Sequence, residues 1–219
     1  MPTAVVLSHD WIAHELGHLE PWLDATGFSV TRLYRENAPA LPDADLLIVL
    51  GSPNTTVADV CTPATVGEID AVRTWVSAGR PYLGICFGAQ VLATGFGGRV
   101  DRMTTPFSGY VDLETTDDAP SALAGPWTVW HNDGITAPST SEVMGSLDHA
   151  DLAIRTRRAW GLQPHIEVTA ESLERMVIAL GATPQEYGPI VDAVRADADA
   201  NTARAQALLD AFWAEVNKH

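Results

Sequence analysis

The sequence predicts an α/β fold, with a doubly wound, mostly parallel sheet flanked by helices and with antiparallel strands added at its edge. In the first half of the chain, short apolar runs alternate with segments of helical periodicity, as in parallel sheets covered by helices. After Gly98 the pattern changes to short alternating segments, which is typical of antiparallel strands. A chain of 219 residues is long enough for one such domain and short for two.

Parallel strands and the helices between them account for the first half of the chain. The apolar runs predict strands at residues 3–8, 28–34, 45–50 and 81–85. Apolar residues that recur every three or four positions predict helices at residues 17–27, 66–78 and 87–94. Because ligands of such sheets bind beyond the carboxyl ends of the strands, we expect the functional site at that edge.

The second half of the chain predicts antiparallel strands followed by helices. The strands are expected at the sheet's edge, at residues 110–115, 127–131, 142–147, 151–155 and 159–163. From Ala170 onward the apolar spacing is helical, and it ends in two alanine-rich segments at residues 185–198 and 203–216. We expect one domain over residues 1–219, in which residues 184–219 form a helical extension packed on the rest. The alternative for these last helices is a surface that binds a partner.

The charge balance argues against nucleic acid and anionic membranes as partners. The chain has 28 Asp and Glu residues against 13 Lys and Arg residues, which gives a net charge of −15. The two cysteines, Cys61 and Cys86, form no CxxC pair, and the first residues lack the pattern of a secretion signal, so we expect a reduced, cytoplasmic location. No apolar stretch approaches membrane-spanning length.

A thiol stands where a predicted strand meets a predicted helix, in the stretch PYLGICFGAQ at residues 81–90. Gly84 and Gly88 flank Cys86, and small neighbours of this kind allow the close approach of strand and helix in a nucleophile elbow. At the start of a helix, unpaired N–H groups and the helix dipole favour the thiolate. The alternative is that Cys86 is a buried, small apolar residue, as most free cysteines are.

Two other motifs suggest chemistry that their surroundings do not favour. His14-Glu-Leu-Gly-His18 matches the zinc-peptidase pattern HExxH, and Asp24 follows where a third ligand could lie. Pro21 interrupts the helix that would carry this motif, so we expect a loop after the first strand, with the histidines near the mouth of the site or in solvent. The glycines of residues 95–98 follow a helix instead of a strand, which favours a helix end and turn over a dinucleotide-binding loop.

The stretch WGLQPHIEVT at residues 160–169 supplies partners for a catalytic thiol. A nucleophilic cysteine needs a base within hydrogen-bond reach, and that base needs a third group to fix its tautomer. His165 and Glu167 are two residues apart at the end of a predicted strand, so their side chains point the same way if the chain is extended. The alternative for His165 is a hydrogen-bonded polar residue at a strand end.

Four sequence blocks carry a family resemblance: GSP at 51–53, GICFGAQ at 84–90, WHND at 130–133 and GLQPHIEVT at 161–169. With these blocks the chain resembles the class I, triad-type glutamine amidotransferases, and it is similar to the glutaminase domain of GMP synthase. The resemblance implies a flavodoxin-like fold and no metal or organic cofactor.

The resemblance also implies a role for each matching residue. Cys86 is then the nucleophile, His165 the general base and acid, and Glu167 the carboxylate that orients it. The residues expected to bind substrate are Gln90, His131 and Asp133. Attack on a carboxamide creates an oxyanion that needs preorganised N–H donors, which we expect from Phe87 and from the turn at Gly51 and Ser52.

The chain departs from the family pattern at two positions. The family has His-Pro-Glu where this chain has Ile166 between His165 and Glu167, and Gly-Gly-Pro where this chain has Ser52 after Gly51. Ile166 loosens the turn that aims the glutamate, and Ser52 restricts a loop in which glycine is customary. Neither departure removes a catalytic group.

Three functions fit these residues. The first is a glutaminase that supplies ammonia to a synthetase on another chain, because no ATP-binding elements occur here. The second is a free-standing hydrolase of γ-glutamyl amides that uses the same thioester. The third, least favoured, is a non-catalytic relative in which the cysteine senses oxidation. The small-molecule substrate is thus glutamine or a γ-glutamyl amide, and a homo-oligomer is left open.

Overall fold

The fold is described from a computed structural model of the chain, covering residues 1–37 and 40–217. The strands are β1 (Thr3–Ser8), β2 (Ser29–Tyr34), β3 (Leu46–Val49), β4 (Tyr82–Ile85), β5 (Arg99–Val111), β6 (Glu114–Thr115), β7 (Trp127–Thr136), β8 (Glu142–Leu147), β9 (Ala150–Thr156) and β10 (Ala159–Leu162). The α-helices are α1 (Leu19–Thr26), α2 (Pro63–Ser77), α3 (Phe87–Gly95), α4 (Ala170–Ala179), α5 (Pro184–Ala196) and α6 (Ala198–Val216).

An eight-stranded sheet organises the described residues, with strand order β2-β1-β3-β4-β10-β9-β8-β6. The pairs from β2 to β10 are parallel, and those from β10 to β6 are antiparallel. The prediction of a mostly parallel sheet with an antiparallel edge is therefore confirmed. Strands β3, β4 and β10 are buried along their whole length, which explains their continuous apolar sequences.

The two faces of the sheet pack against different helices. On β1, Ala4 and Val6 face the side covered by α1 and α6, and the intervening Val5 and Leu7 face the side covered by α2 and α3. This alternation is the period-two geometry of a strand with helices on both faces.

The prediction for residues 99–136 is wrong in part. Residues 127–131, expected at the sheet's edge, are instead part of β7, which pairs with β5 in a separate two-stranded sheet. Of the strand expected at residues 110–115, the first two residues end β5 and the last two form β6. Only the two-residue β6 joins the large sheet from this region. Most of β5 is polar and exposed, and Pro106 lies within its register shift, so the sequence gives no apolar run to mark it.

The two C-terminal helices bury their apolar faces within the described residues. From α5, Ile190 and Val194 enter a cluster with residues of α4, and from α6, Leu209 and Phe212 enter the core beneath the sheet. Phe212 is 1% exposed and contacts the ring of Trp160 at a centroid distance of 5.5 Å. Packing against the rest of the chain thus accounts for these faces. The last two residues of the expected 184–219 extension lie outside the described residues.

None of the helices in residues 1–37 and 40–217 combines the length and the hydropathy needed to cross a membrane.

Candidate active site

A sharp turn between β4 and α3 holds the Cys86 thiol. Cys86 has φ 52° and ψ −105°, in the left-handed half of the backbone map where non-glycine residues are rare. A Cβ on Gly88 would lie 2.2 Å from the carbonyl oxygen of Val49, and one on Gly84 would lie 2.5 Å from the carbonyl group of Gly88. Glycine is therefore required on both sides of the thiol, and the predicted elbow is confirmed as backbone geometry.

His165 and Glu167 follow β10 and form a buried pair. The distance between His165 Nδ1 and Glu167 Oε1 is 2.7 Å, and both side chains are 4% exposed. The backbone N–H of His165 donates to the carbonyl oxygen of Thr128 at 2.8 Å, which fixes the strand end against β7. Because the carboxylate can only accept, the proton lies on Nδ1 and the neutral ring keeps Nε2 as its acceptor.

The charges around His165 favour its protonated form. Burial by itself lowers the pKa of His165, but its interactions with Glu167 and with Cys86 raise that pKa well above its ordinary value. Cys86 and His165 are brought together with Gly51, where an added Cβ would lie 3.1 Å from His165 Cε1 and 3.7 Å from Cys86 Cβ. A thiolate beside an imidazolium is the charge state that nucleophilic cysteines use.

Gln163 is a site residue that the sequence analysis did not single out. Its amide Nε2 lies 3.4 Å from Cys86 Sγ, and its Oε1 accepts a hydrogen bond of 3.2 Å from Gln90 Nε2. Gln90 thus lines the cavity and also connects α3 to the chain segment before His165. Gln163 belongs to the same block as His165, but a buried glutamine has no sequence signature that distinguishes support of a thiol from packing.

One cavity of about 600 Å³ joins the thiol to most of the expected binding residues. The predicted site residues in its lining are Gly51, Ser52, Cys86, Gln90, His131, Asp133 and His165. The other two, Glu167 and Phe87, are not in the lining: Glu167 lies behind His165, and Phe87, the first residue of α3, is 1% exposed. Residues that the sequence analysis did not identify complete the wall, among them Arg102, Phe107, Trp130, Met176 and Leu180.

His131 and Asp133 are held by neighbours within this wall. His131 Nδ1 donates to the backbone oxygen of Asp133 at 2.8 Å, and its Nε2 lies 3.2 Å from Nε2 of His149. The carboxylate of Asp133 pairs with Arg102 at 2.6 Å and accepts a hydrogen bond from Thr55 at 2.6 Å. Burial lowers the pKa of His131, so this imidazole is neutral near pH 7.

The HExxH motif does not adopt the geometry of a zinc site. Helix α1 begins at Leu19, so His14 and His18 are not on consecutive turns of one helix. The expectation that both histidines lie near the site mouth or in solvent is wrong for His18, which is 5% exposed and lies 3.3 Å from Asn201 Nδ2 of α6. Within residues 1–37 and 40–217, no three His, Cys, Asp or Glu side chains are grouped as metal ligands.

The glycines of residues 95–98 end a helix, as predicted. Helix α3 ends at Gly95, Gly97 has φ +87°, and the N–H of Gly98 donates to the carbonyl oxygen of Ala93 at 2.8 Å. The segment is a helix end and turn that leads into β5.

Comparison with known proteins identifies the family. The sequence profile of glutamine amidotransferase class-I matches residues 9–182, which include every predicted site residue. The chain belongs to the class-I glutamine amidotransferase family. The predicted flavodoxin-like fold of this family is confirmed by solved structures. A glutamine amidotransferase from Thermotoga maritima has a TM-score of 0.84 at 19% identity, over 96% of this chain and 97% of that one. One from Methylobacillus flagellatus has a TM-score of 0.82 at 19% identity, over 98% and 94%.

Relatives of this chain include GMP synthases. One subunit of the glutamine-hydrolyzing GMP synthase of Halobacterium salinarum is 29% identical over 167 residues, covering 69% of this chain and 82% of the relative. The glutamine-hydrolyzing GMP synthase of Edwardsiella ictaluri is 32% identical over 139 residues, covering 56% of this chain and 25% of the relative. The match thus spans about a quarter of the Edwardsiella enzyme and most of the Halobacterium subunit.

Proposed function

We propose that this amidotransferase hydrolyses the γ-carboxamide of glutamine through a thioester on Cys86 and passes the ammonia to a synthetase partner. The observation that carries the proposal is the thiol at a strained elbow, in one cavity with His165, whose Nδ1 lies 2.7 Å from a buried glutamate. Membership of the family supports the reaction class. The resemblance to a single subunit of the Halobacterium GMP synthase supports a partner on a separate chain.

In the first half of the proposed reaction, the Cys86 thiolate attacks the γ-carbonyl carbon and the carbonyl electrons move to oxygen. The N–H of Phe87, at the start of α3, and the N–H of Ser52 stabilise the resulting oxyanion. The imidazolium of His165 then donates its Nε2 proton to the amide nitrogen, the C–N bond breaks, and ammonia leaves.

In the second half, neutral His165 takes a proton from water, and the water oxygen attacks the γ-glutamyl thioester. Collapse of this second tetrahedral intermediate breaks the C–S bond, releases glutamate, whose γ-carboxyl proton passes to solvent, and regenerates the thiolate beside the imidazolium. Glu167 holds the Nδ1 proton throughout and stabilises the charged ring. Every proton and electron pair is accounted for by the thiol, the imidazole and water.

A second function has support from the cavity itself. The space of about 600 Å³ is larger than a glutamine needs, and its wall includes the apolar side chains of Phe107, Trp130, Met176 and Leu180. These side chains would suit the amine part of a bulky γ-glutamyl amide, released by the same thioester chemistry. The alternative function is therefore that of a free-standing γ-glutamyl amide hydrolase.

We also propose that residues 1–219 act as one glutamine amidotransferase domain, with residues 184–219 as its helical extension. The support is that α5 packs with α4 and that α6 contributes Leu208, Leu209 and Phe212 to the core of the sheet.

The experiment that tests the proposed function compares substrates for the purified chain. Glutamine and a set of γ-glutamyl alkyl and aryl amides are assayed at equal concentrations, with and without Cys86→Ala. The proposal predicts Cys86-dependent release of ammonia from glutamine as the fastest reaction. Faster turnover of a bulky amide without any added partner would make the chain a γ-glutamyl amide hydrolase, and turnover that survives in Cys86→Ala would exclude both.

A further inference from the structure

Ser52, which stands where the family pattern has glycine, uses its hydroxyl group in two hydrogen bonds. Its Oγ accepts from the backbone N–H of Asn54 at 3.0 Å and lies 2.7 Å from Nε2 of His9. Both bonds restrain the turn that follows β3 and lines the cavity. The customary glycine would have no side chain with which to make them.

His9 is itself held in one orientation. It follows β1 directly, is 6% exposed, and its Nδ1 lies 2.5 Å from Oε1 of Glu36. The other carboxylate oxygen of Glu36 accepts from the backbone N–H of Asp10 at 3.1 Å, which ties the glutamate to the same chain segment. Because the carboxylate accepts from Nδ1–H, a neutral His9 presents a bare Nε2, and the Ser52 hydroxyl donates to it. A protonated His9 would donate to Ser52 Oγ instead, so the contact persists in either state.

Arg35 holds the preceding peptide from another direction. Its guanidinium donates to the carbonyl oxygens of Leu50 at 3.0 Å and Gly51 at 3.3 Å, and it pairs with both carboxylate oxygens of Glu68. The peptide between Gly51 and Ser52 is trans, so the N–H of Ser52 points opposite to the carbonyl that Arg35 binds. With Gly51 beside Cys86 and His165, the orientation of this one peptide decides whether its N–H is available to the reacting carbonyl.

We propose that His9, oriented by Glu36, is a positioning residue that holds the Ser52 N–H toward the oxyanion formed on attack by Cys86. The inference rests on the proposed function, and it adds a Glu36–His9–Ser52 relay to the Cys86–His165–Glu167 group. This chain has Ser52 where the family pattern has its second glycine. The relay compensates for the loss of that glycine, because it fixes the turn through the Ser52 hydroxyl. A preorganised donor of this kind acts on the transition state, so the relay contributes to kcat and leaves KM nearly unchanged.

A double-mutant cycle tests the relay through His9→Leu, Ser52→Ala and the two together. Ser52→Ala keeps the N–H and removes only the hydroxyl, and His14→Leu is the matched control because it makes the same change in the same loop without touching Ser52. Removing an oxyanion donor outright costs about 10²–10³ in kcat, so loosening one is expected to cost about tenfold to a hundredfold. Each single variant should show this loss with KM within about twofold. The kcat of the double variant should be no lower than that of the less active single variant.

Alkylation of Cys86 by iodoacetamide distinguishes loss of the Ser52 N–H orientation from a general disturbance of the site around Cys86. This displacement forms no oxyanion, so its rate should be unchanged in His9→Leu and Ser52→Ala. Multiplicative losses in the double variant, a rise in KM with kcat unchanged, or equal loss in His14→Leu would overturn the inference. Should the wild type hydrolyse neither glutamine nor γ-glutamyl amides, the proposed function fails. The same cycle is then measured on Cys86-dependent hydrolysis of p-nitrophenyl acetate, where lack of coupling would overturn the relay separately.

Discussion

Replacing Glu167 by Gln should move the alkaline limit of activity to lower pH. The proposed leaving step needs His165 as the imidazolium, so activity falls as pH rises through the pKa of His165. Glu167 raises that pKa, because its Oε1 lies 2.7 Å from His165 Nδ1 and both side chains are only 4% exposed. Its removal therefore lowers the pKa, and the protonated fraction is lost at a lower pH.

The size of this effect follows from the burial of the pair. An opposite charge at this range shifts a pKa by about one to three units, and each unit changes the protonated fraction tenfold above the pKa. We expect the alkaline limb of the kcat/KM profile to move down by about one to three pH units in Glu167→Gln. Between the new and the old pKa, the loss of activity should be about 10-fold to 10³-fold.

The assay is ammonia release from glutamine, measured as kcat/KM across the alkaline range, with Tm recorded for each variant. Glu171→Gln is the matched control, since it makes the same change at an exposed position of α4. An alkaline limb that stays in place, or moves to higher pH, would refute the role of Glu167 as the charge that sustains the His165 imidazolium.

Three further changes have definite expected outcomes. Gly88→Ala should abolish activity and lower Tm, because its Cβ would lie 2.2 Å from the Val49 carbonyl oxygen; a fully active variant would contradict the elbow geometry. Phe212→Ala should lower the free energy of unfolding by about 3–5 kcal/mol in a denaturant titration, and a loss below about 1 kcal/mol would show that α6 is not part of the core. Treatment with EDTA should leave turnover unchanged, because the thiolate mechanism uses no metal-bound water; loss of activity restored by zinc would favour a site at His14 and His18 instead.

The sequence was most informative where local chemistry and periodicity agree. The elbow at Cys86 could be predicted because glycine on both sides of a strand-to-helix cysteine has a steric cause, and the structure places those glycines against backbone atoms. His165 and Glu167 were expected to share one side because alternate residues of an extended chain do; their side chains meet at 2.7 Å, although β10 ends at Leu162 and the chain bends at residues 166–167. Buried runs such as β3 and β4 were equally visible, since a strand covered on both faces is apolar throughout.

Other parts depend on contacts that only the fold creates. Most of β5 is polar and exposed, so the sequence does not mark it as a strand, and its register with β7 shifts near Pro106. Gln163 contacts Cys86, which is 77 residues away in the sequence, and His9 contacts Ser52, which is 43 residues away. No spacing rule in a single sequence reports such long-range hydrogen bonds. Ser52 is the clearest example. The sequence showed that this residue departs from the family pattern, but it did not show that His9 forms a hydrogen bond with the Ser52 hydroxyl.

The most direct test of a Cys86 thioester is to label the protein with a glutamine-like chloroketone and locate the adduct by mass spectrometry. The free thiols among the described residues are Cys61 and Cys86, and only Cys86 lines the cavity. The expected result is one adduct, on Cys86, whose formation is slowed by glutamine and is lost in Cys86→Ala, with Tm maintained. Labelling at Cys61 instead, or labelling of Cys86 that glutamine does not slow, would contradict it.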